Sequence, residues 1–335
     1  MPQRSVTLEH VAIRAGVSRQ TVSRAINGRA EIRRETRDRV LQAAAELGYE
    51  PNAFARGLVT DRSDTIGLVV GDITNPFFPD VARAVMEEAE ARDLVALVCN
   101  LGLGWDTLKP LRALSRRGVD GYILFPAAAD RDRVLAFAET HGPVVAVDAP
   151  YANASMSTIA IDWTSGAEAA ARHLAAGSNA VAVLGAMTEH ASSARVDAFC
   201  REAVRLGLRV SDETMVADEM TFAGGRRAAL ELLDRGGEFD AVFAFNDLMA
   251  LGAMQTVAEA GIRVPDECRI VGCDDIELAS YATPTLSSLR VDRSRLGTLA
   301  MHELHRRIAE PDAPPAHHTV EVTLVDRRSS RAGHA

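Results

Sequence analysis

One stretch of sequence decides the fold of the first part of the chain: Val11-Ala12-Ile13-Arg14-Ala15-Gly16-Val17-Ser18-Arg19-Gln20-Thr21-Val22-Ser23-Arg24-Ala25-Ile26-Asn27. Thr7 is placed to cap a helix ahead of it, and Gly16 is placed to end that helix in the left-handed conformation. Val17 fills the turn, and Ser18 can cap the next helix. The apolar residues of the first helix recur at the spacing of one buried face: Leu8, Val11, Ala12 and Ala15. The stretch therefore predicts a helix-turn-helix.

The second helix of this pair presents a polar face. Val22 and Ile26 are four residues apart and point inward, which leaves five polar side chains outward: Arg19, Gln20, Ser23, Arg24 and Asn27. Such side chains can donate to base edges and phosphates, and the second helix of the motif is shaped for the major groove of DNA. An ordinary helical hairpin with a solvated polar face is the simpler interpretation. The succession of cap, turn glycine and polar residues argues against it and predicts a DNA-binding head.

The charge of the chain is distributed unevenly. Its net charge is −9 at pH 7, which by itself argues against a nucleic-acid partner. The first 62 residues, however, hold eleven arginines and seven acids, a net charge of +4, so the remaining 273 residues carry −13. A basic head on an acidic body is the distribution expected of a DNA reader with a separate soluble domain.

Length and composition indicate a globular protein of two or three domains. The chain has 335 residues, 47% of them hydrophobic, without an apolar run of about 18 residues. Its first residues, Met1-Pro2-Gln3-Arg4-Ser5, lead into the first helix rather than into the apolar core of a signal peptide, and we expect a cytoplasmic protein. The four cysteines form no Cys-x-x-Cys pair and are expected to be reduced thiols: Cys99, Cys200, Cys268 and Cys273.

Two more elements are predicted before the body of the chain. A third helix spans about residues 34–47 and ends at Gly48, with four residues inward: Val40, Leu41, Ala44 and Leu47. After Pro51, Asn52 can cap a short helical segment over residues 53–58. The expected organisation is a helix-turn-helix DNA-binding domain over 1–50, a hinge helix and linker over 51–64, and a core over 65–335.

From residue 65 onward, short β-rich segments alternate with amphipathic helices. The predicted strands are Ile66–Val70, Val95–Cys99, Tyr122–Phe125, Val144–Val147, Ala180–Leu184, Ala241–Phe245 and Arg269–Cys273. The predicted helices are Val81–Arg92, Ser165–Ala176, Ala194–Leu206, Gly225–Leu233, Leu248–Ala260 and Leu296–Ile308. Such alternation favours doubly wound parallel sheets, and about 270 residues exceed one ordinary sheet. We expect two α/β lobes, over about 65–162 with 291–319 and 163–290 with 320–330, and a ligand between them at the carboxyl ends of the strands.

These features together resemble the LacI/GalR family of bacterial transcriptional regulators. At the head, the resemblance rests on residues 11–27, Thr36-Arg37, Leu47-Gly48-Tyr49 and Pro51-Asn52. In the body, it rests on Ile66-Gly67-Leu68-Val69, Asn75-Pro76-Phe77-Phe78, Val119-Asp120-Gly121, Phe245-Asn246-Asp247 with Ala250-Leu251-Gly252-Ala253, and Val271-Gly272-Cys273-Asp274-Asp275. The resemblance implies a periplasmic-binding-protein-like core and a repressor that binds a palindromic operator as a homodimer under the control of a small, sugar-like effector.

The resemblance also implies roles at the DNA. Arg19 and Gln20 would read base edges, Arg24 and Thr21 would fix the register on the duplex, and Leu58 would enter the minor groove. The implied DNA-binding set is Thr7, Ser18, Arg19, Gln20, Thr21, Ser23, Arg24, Asn27, Asn52, Ala55 and Leu58.

Three positions depart from the family pattern. Arg33 stands where a small capping residue is usual, and loss of that cap should cost about 1 kcal/mol. His10 replaces an acid and is expected to weaken the first cap. Gly57 lies within the hinge segment, which leads to the hypothesis that this helix forms only on the operator.

The residues that match effector-contacting positions of the family are Asn75, Phe77, Phe78, Asp148, Arg195, Phe222, Asn246 and Asp274. Their acids, amides and aromatic rings suit a polyhydroxylated ligand. Phe77 and Phe78 are expected to divide between core and cleft, and either Phe222 or Met220 can pack on the ligand. Asp148 can equally be a turn residue, and Asp162 is expected to cap a helix rather than to contact the ligand.

The sequence carries no enzyme signature. His302-Glu303-Leu304-His305 has the wrong spacing for a His-Glu-x-x-His zinc site and is expected to form a polar helix face, while His317-His318 is expected in a loop. Gly102-Leu103-Gly104 lacks the third glycine of a dinucleotide loop, and no cofactor or metal is expected. A solute receptor of a transporter is the alternative function, and a sugar- or nucleotide-processing enzyme is the third. Because no heptad follows Asp326, we expect a dimer rather than a tetramer.

Overall fold

The structure is a computed structural model that describes residues 6–26, 31–49, 62–101, 106–149, 155–187 and 194–331. The chain divides into two compact units, residues 1–64 and 65–335. The hinge helix expected at residues 51–64 lies almost wholly outside the described residues, as do Asn27, Asn52, Ala55, Gly57 and Leu58. None of the described helices is both long and apolar enough to cross a membrane.

The first unit contains the predicted helix-turn-helix. Its helices are α1 (Leu8–Ala15), α2 (Arg19–Ile26) and α3 (Arg34–Leu47). Gly16 ends α1 at a φ of 64°, a left-handed conformation that glycine adopts without a steric penalty. Val11, Val22 and Val40 are fully buried, one from each helix, and they form the centre of a small apolar core. The predicted burial of these helices is thus confirmed at its centre.

Two expectations for this unit were wrong. Leu41 is 47% exposed, whereas Ala43 is only 4% exposed and takes the inward position instead. The reason is that α3 packs its alanines, rather than Leu41, against α1 and α2. His10 does not simply weaken the first cap: its Nδ1 accepts a hydrogen bond from the backbone N–H of Thr7 at 3.1 Å. The imidazole therefore replaces the carboxylate of a capping box. Arg33 makes no side-chain cap for α3, as expected.

The second unit is built on two six-stranded sheets. Its strands are β1 (Thr65–Val70), β2 (Val95–Asn100), β3 (Gly121–Leu124), β4 (Val144–Val147), β5 (Ser157–Ile161), β6 (Val181–Ala186), β7 (Met215–Asp218), β8 (Ala241–Ala244), β9 (Arg269–Asp274), β10 (Ser287–Val291), β11 (His317–Val320) and β12 (Val322–Val325). Sheet 1 has the order β11-β5-β4-β3-β1-β2 and sheet 2 the order β12-β10-β9-β8-β6-β7. All pairings are parallel except that of β12 with β10. The prediction of two doubly wound sheets is confirmed.

The helices of this unit cover the sheets. They are α4 (Phe77–Glu90), α5 (Leu108–Ser115), α6 (Arg131–Ala138), α7 (Trp163–Ala175), α8 (Ala194–Arg205), α9 (Phe222–Asp234), α10 (Asp247–Glu259), α11 (Glu277–Tyr281) and α12 (Arg293–Ala309). Helices α9 and α10 approach closely at Gly252, where an added Cβ would lie 2.2 Å from the carbonyl oxygen of Phe222. This close packing places the first turns of both helices side by side at the carboxyl edge of sheet 2.

The chain passes between the sheets three times, and each passage is one residue long. β5 ends at Ile161 and α7 begins at Trp163, so Asp162 makes the first passage, and its carboxylate caps α7 by accepting from the N–H of Ser165 at 3.1 Å. Asp292 lies between β10 and α12, and α12 packs on α4, the helix between β1 and β2 of sheet 1. Glu321 lies between β11 and β12. We call the part around sheet 1 lobe 1 and the part around sheet 2 lobe 2.

Candidate functional sites

The first candidate site is the exposed face of α2. Ser18 caps this helix, since its Oγ accepts a hydrogen bond from the N–H of Thr21 at 3.1 Å, and the two hydroxyls lie 2.9 Å apart. Arg19 and Gln20 occupy the first turn and are exposed. Arg24 is about half exposed and lies 3.7 Å from Glu31. The helix therefore presents a guanidinium and an amide at its N-terminal end, the end that enters the major groove in this motif.

The remaining predicted DNA contacts in the described head are Thr7 and Ser23. Thr7 is the exposed N-cap residue of α1, and its Oγ1 lies 3.3 Å from Nδ1 of His10. Ser23 is partly buried on α2.

The second candidate site is the cleft between the two lobes. Asn75 follows β1 of lobe 1, and its Nδ2 donates to Oδ2 of Asp274 at the end of β9 of lobe 2, at 3.2 Å. Both side chains are buried. Because one comes from each sheet, this hydrogen bond shows that the carboxyl edges of the two sheets face each other, which is where a ligand binds in this architecture.

Arg195, in the first turn of α8, lies at the centre of this cleft. Its guanidinium is 3.6 Å from a carboxylate oxygen of Asp148 in lobe 1 and 3.8 Å from one of Asp274 in lobe 2. Its Nη1 donates to the carbonyl oxygen of Phe245 at 3.0 Å. The Nε is buried and has no hydrogen-bond partner among the described residues. A buried N–H without an acceptor is costly.

The cleft carboxylates occupy strained backbone positions. Asp148, Asp274 and Asp275 follow or end strands with φ values of 55°, 104° and 50°, in the left-handed region that side chains other than glycine rarely adopt. Burial raises the pKa of Asp274 to about 6, although the Arg195 guanidinium and the Asn75 amide act in the opposite direction. Burial also raises the pKa of Asp148, against Arg195 and the indole N–H of Trp163. Strain of this kind concentrates at binding sites.

The predicted aromatic residues differ in burial, while the orientation of Phe78 toward the cleft stays a prediction. Phe77 is buried, whereas Phe78 is partly exposed, and the two rings meet edge to face with centroids 5.3 Å apart. Of the two candidates for ligand packing, Met220 packs against the core and Phe222 is 39% exposed at the start of α9. The structure thus leaves the phenyl ring of Phe222 the more accessible of the two.

Asn246 has a structural task in addition to its predicted one. Its side-chain oxygen accepts from the N–H of Met249 at 2.9 Å and caps α10, while its Nδ2 donates to the carbonyl oxygen of Met220 at 3.0 Å. The residue is 2% exposed. In this arrangement it joins the loop before α9 to the start of α10.

Two cleft residues escaped the sequence reasoning. Trp163 is buried at the start of α7, donates through Nε1 to Oδ1 of Asp148 at 2.9 Å, and lies under the Arg195 guanidinium at 3.5 Å. Arg293 begins α12 and donates through Nε to Oδ2 of Asp80 at 2.9 Å. Each residue directly follows an acidic residue between a strand and a helix, but this feature does not identify its partner in the other lobe.

The histidines and cysteines to which the sequence analysis gave no functional role lie in different environments. His302 and His305 are exposed on α12, but Glu303 is buried and accepts from Ser157 and Arg306, so the expected polar face is interrupted. The expectation of a loop at His317-His318 was wrong, because both residues begin β11. All four cysteines are free, as expected. No cluster of metal-binding side chains occurs among the described residues.

Comparison with known proteins assigns both parts of the chain. Residues 7–52 match the model described as bacterial regulatory proteins, lacI family, and residues 173–330 match the periplasmic binding protein-like domain. The HTH-type transcriptional repressor PurR of Mannheimia succiniciproducens is 30% identical over 96% of this chain and 98% of its own length.

Two solved structures are similar over nearly the full length. The Lac repressor dimer bound to operator and the anti-inducer ONPF matches with a TM-score of 0.85 at 25% identity, covering 98% of this chain and 100% of that one. The complex of the transcriptional regulator CelR with cellobiose matches with a TM-score of 0.71 at 29% identity, covering 97% and 99%.

A helix-turn-helix head joined in one chain to a two-lobed, periplasmic-binding-protein-like core defines a DNA-binding transcriptional regulator. The relatives that match the whole length are regulators of transcription, and the solute-receptor alternative is not favoured. The chain belongs to the LacI family of bacterial regulatory proteins.

Proposed function

We propose that this regulator is a cytoplasmic repressor, without enzymatic activity, that binds a near-palindromic operator as a homodimer. Arg19 and Gln20 read base edges, whereas Thr21 and Arg24 fix the register of the head on the phosphates. Leu58 enters the minor groove at the centre of the operator. The observation that carries this proposal is the exposure of Arg19 and Gln20 on the first turn of the capped helix α2.

The effector is a sugar-like molecule bound between the lobes. Asn75, Asp148, Arg195 and Asp274 meet there from both lobes and offer donors and acceptors to hydroxyl groups. Phe222, with an exposed ring, and Phe78, with a partly exposed ring, supply the aromatic surface for the ligand. A similar protein supports this class of ligand, since CelR was solved with cellobiose. Binding biases lobe closure and thereby operator affinity.

The test begins with selection of operator fragments from a random duplex library by the purified full-length chain. The selected fragment is then titrated by fluorescence anisotropy at several salt concentrations. The proposal predicts a palindromic consensus, one dimer per site and a steep decrease of affinity with salt. A panel of sugars is then added, and at least one has to change operator affinity. Enrichment of no sequence would refute the proposal.

A further inference from the structure

The loop that follows β9 brings a cleft carboxylate into place. Asp274 ends β9, and residues 275 and 276 lead from it to α11. Asp274 and Asp275 adopt φ values of 104° and 50°, so two successive residues lie in the left-handed region that favours glycine. Such a backbone persists only where the surrounding structure holds it. The position of the Asp274 carboxylate therefore depends on the contacts of this loop.

A buried acid and a buried hydroxyl bind the N–H groups of the loop. The N–H of Asp275 donates to Oγ of Ser288 at 3.0 Å, and that hydroxyl donates to Oδ1 of Asp247 at 2.5 Å. The N–H of Ile276 donates to Oδ2 of Asp247 at 2.8 Å. Asp247 and Ser288 are both 0% exposed, so a ligand in the cleft cannot touch either side chain. Their contribution to the site therefore passes through the loop.

Asp247 and Ser288 meet across β9. Asp247 begins α10, whereas Ser288 lies on β10 beside Gly272 of β9. A Cβ at Gly272 would lie 2.3 Å from Oδ1 of Asp247. Because glycine has no side chain, the carboxylate and the hydroxyl can approach each other over the strand that carries Asp274 at its end.

The hydrogen bonds of this pair require an acid at position 247. A carboxylate offers two acceptor oxygens, and both groups that face it, the Ser288 hydroxyl and the Ile276 N–H, are donors. An asparagine would turn its NH2 group toward one of these donors. Burial and the charge of Asp274 raise the pKa of Asp247, whereas its two hydrogen bonds act in the opposite direction. Burying a carboxylate is costly, and here the carboxylate satisfies a donor of the loop that carries Asp274.

Arginines hold the other polar groups of the loop. Nη1 of Arg293 donates to the carbonyl oxygens of Asp274 and Asp275. The carboxylate of Asp275 lies 2.6 Å from both Arg290 and Arg327. These contacts fix the carbonyl side of the loop and the side chain of Asp275, so the N–H side depends on the buried acid and hydroxyl.

We propose that Asp247 and Ser288 are positioning residues of the effector site. By binding the N–H groups of residues 275 and 276, they hold the Asp274 carboxylate within hydrogen-bond distance of Asn75 in the opposite lobe. The inference rests on the proposed function, because Asp274 belongs to the proposed effector site.

Lobe 1 offers a matched control with the same hydrogen bonds. Ser157 is 0% exposed, donates to Oε1 of Glu303 at 2.5 Å and accepts from the N–H of Ala316 at 3.2 Å. Glu303 is 4% exposed. Ser157 begins β5, at the edge of sheet 1 away from the cleft. Ser157→Ala and Glu303→Gln therefore remove a buried serine–acid hydrogen bond of the same kind without altering the loop after β9.

The first test measures amide exchange by NMR in the full-length chain. In Ser288→Ala and Asp247→Asn, we expect the amides of residues 275 and 276 to exchange about tenfold faster, while the amides of β8 stay protected. The two control variants should leave the loop amides unchanged. Unchanged loop exchange in Ser288→Ala, or equal acceleration in all four variants, overturns the inference. Circular dichroism verifies folding, and Ser288→Ala decides the outcome if Asp247→Asn does not fold.

The second test observes Asp274 from the opposite lobe. Nδ2 of Asn75 donates to its carboxylate at 3.2 Å, so the NMR signals of the Asn75 side-chain amide report where this carboxylate lies. Their absence from the spectrum of Asn75→Ser assigns them. We expect these signals to shift in Ser288→Ala and in Asp247→Asn but not in the control variants. Signals that stay in place in both loop variants overturn the positioning role, even if the loop amides exchange faster.

The sugar panel extends the test to binding. A sugar that binds the parent should bind Ser288→Ala about tenfold more weakly, and this difference should vanish in an Asp274→Ala background, because Ser288 acts through that carboxylate. Equal affinity of the parent and Ser288→Ala overturns the inference. Neither NMR test contains sugar or DNA, so the failure of every sugar to bind would contradict the proposed function without altering the NMR result.

Discussion

The indole N–H of Trp163 donates to Oδ1 of Asp148 at 2.9 Å, and this hydrogen bond joins lobe 2 to lobe 1. The same indole ring lies 3.5 Å from the guanidinium carbon of Arg195, which also lies 4.2 Å from the ring centre of Phe245. Trp163 thus orients a cation with its face and a carboxylate with its edge. One side chain therefore contacts both a carboxylate of lobe 1 and the central cation of the cleft.

Trp163→Phe separates these two contributions. The phenyl ring keeps an aromatic surface for Arg195 but cannot donate to Asp148, and loss of one hydrogen bond to a charged group costs about 1.5–3 kcal/mol. We expect effector affinity, measured by titration calorimetry with a sugar that responds in the screen, to fall roughly tenfold or more. Trp105→Phe is the control. Unchanged affinity would show that the indole N–H contributes nothing to closure.

The Arg293–Asp80 pair also joins the lobes, because Asp80 lies on α4 and Arg293 begins α12 immediately after the passage at Asp292. Arg293 is 18% exposed and Asp80 38%, so we expect a coupling energy of about 1 kcal/mol. A double-mutant cycle with Asp80→Asn and Arg293→Gln, followed by urea denaturation, measures it. Strictly additive effects would contradict a direct interaction.

Asp274 should make stability depend on pH in a narrow window. Its carboxyl group has a pKa of about 6 in the folded protein against an ordinary value of 3.8. Between these pH values the folded state binds more protons than the unfolded chain, so the contribution of Asp274 to the free energy of unfolding decreases as pH rises.

Asp274→Asn removes this dependence. From about pH 4 to pH 6.5, the free energy of unfolding of the parent should fall relative to that of the variant by up to about 3 kcal/mol. Urea denaturation at a series of pH values provides the measurement. Parallel curves for the two proteins would show that burial does not perturb this carboxyl group.

Substitutions on α2 should separate base reading from phosphate contact. Arg19→Ala is expected to cost about 1–3 kcal/mol against the selected operator and to relax preference at one base pair. Arg24→Ala should weaken binding to all sequences alike and lower the salt slope by about one. Anisotropy with the operator and its single-base variants distinguishes the two. Loss of preference in Arg24→Ala instead would reverse the assigned roles.

The cap of α2 can be tested on stability alone. Ser18→Ala removes the acceptor for the Thr21 N–H and should destabilise the head by about 1 kcal/mol. Ser18→Asn keeps an acceptor and serves as the control. Hydrogen exchange of the α2 amides reports the loss, and equal protection in both variants would indicate that the hydroxyl does not stabilise the helix.

The sequence predicted the central strands of both sheets well and the beginnings of helices less well. The predicted helix at Val81 begins four residues earlier, at Phe77, because Pro79 lies in its first turn, where a missing N–H does no harm. β5 was missed because it begins with Ser157 and Thr158, which are buried yet satisfied by Glu303 and His317 from far along the chain. No local pattern shows such partners.

The candidate cleft could be anticipated only in part. The resemblance pointed to Asp148, Arg195 and Asp274, and these residues do lie together. Trp163 and Arg293 could not be found in the same way, because their partners Asp148 and Asp80 belong to the other lobe and periodicity within one element carries no such information. The roles of all these residues in binding stay predictions.

The three single-residue passages have a consequence for the synthesis of the chain. β11 pairs with β5, which precedes it by about 160 residues, and β12 pairs with β10 immediately beyond the third passage at Glu321. A ribosome must therefore have translated residue 320 before sheet 1 can receive its last strand, and residue 325 before sheet 2 can receive its last strand. In the head, by contrast, the three helices that the structure describes lie within the first 47 residues. The DNA-binding head can therefore emerge from the ribosome and fold first, whereas the two-lobed core is completed last.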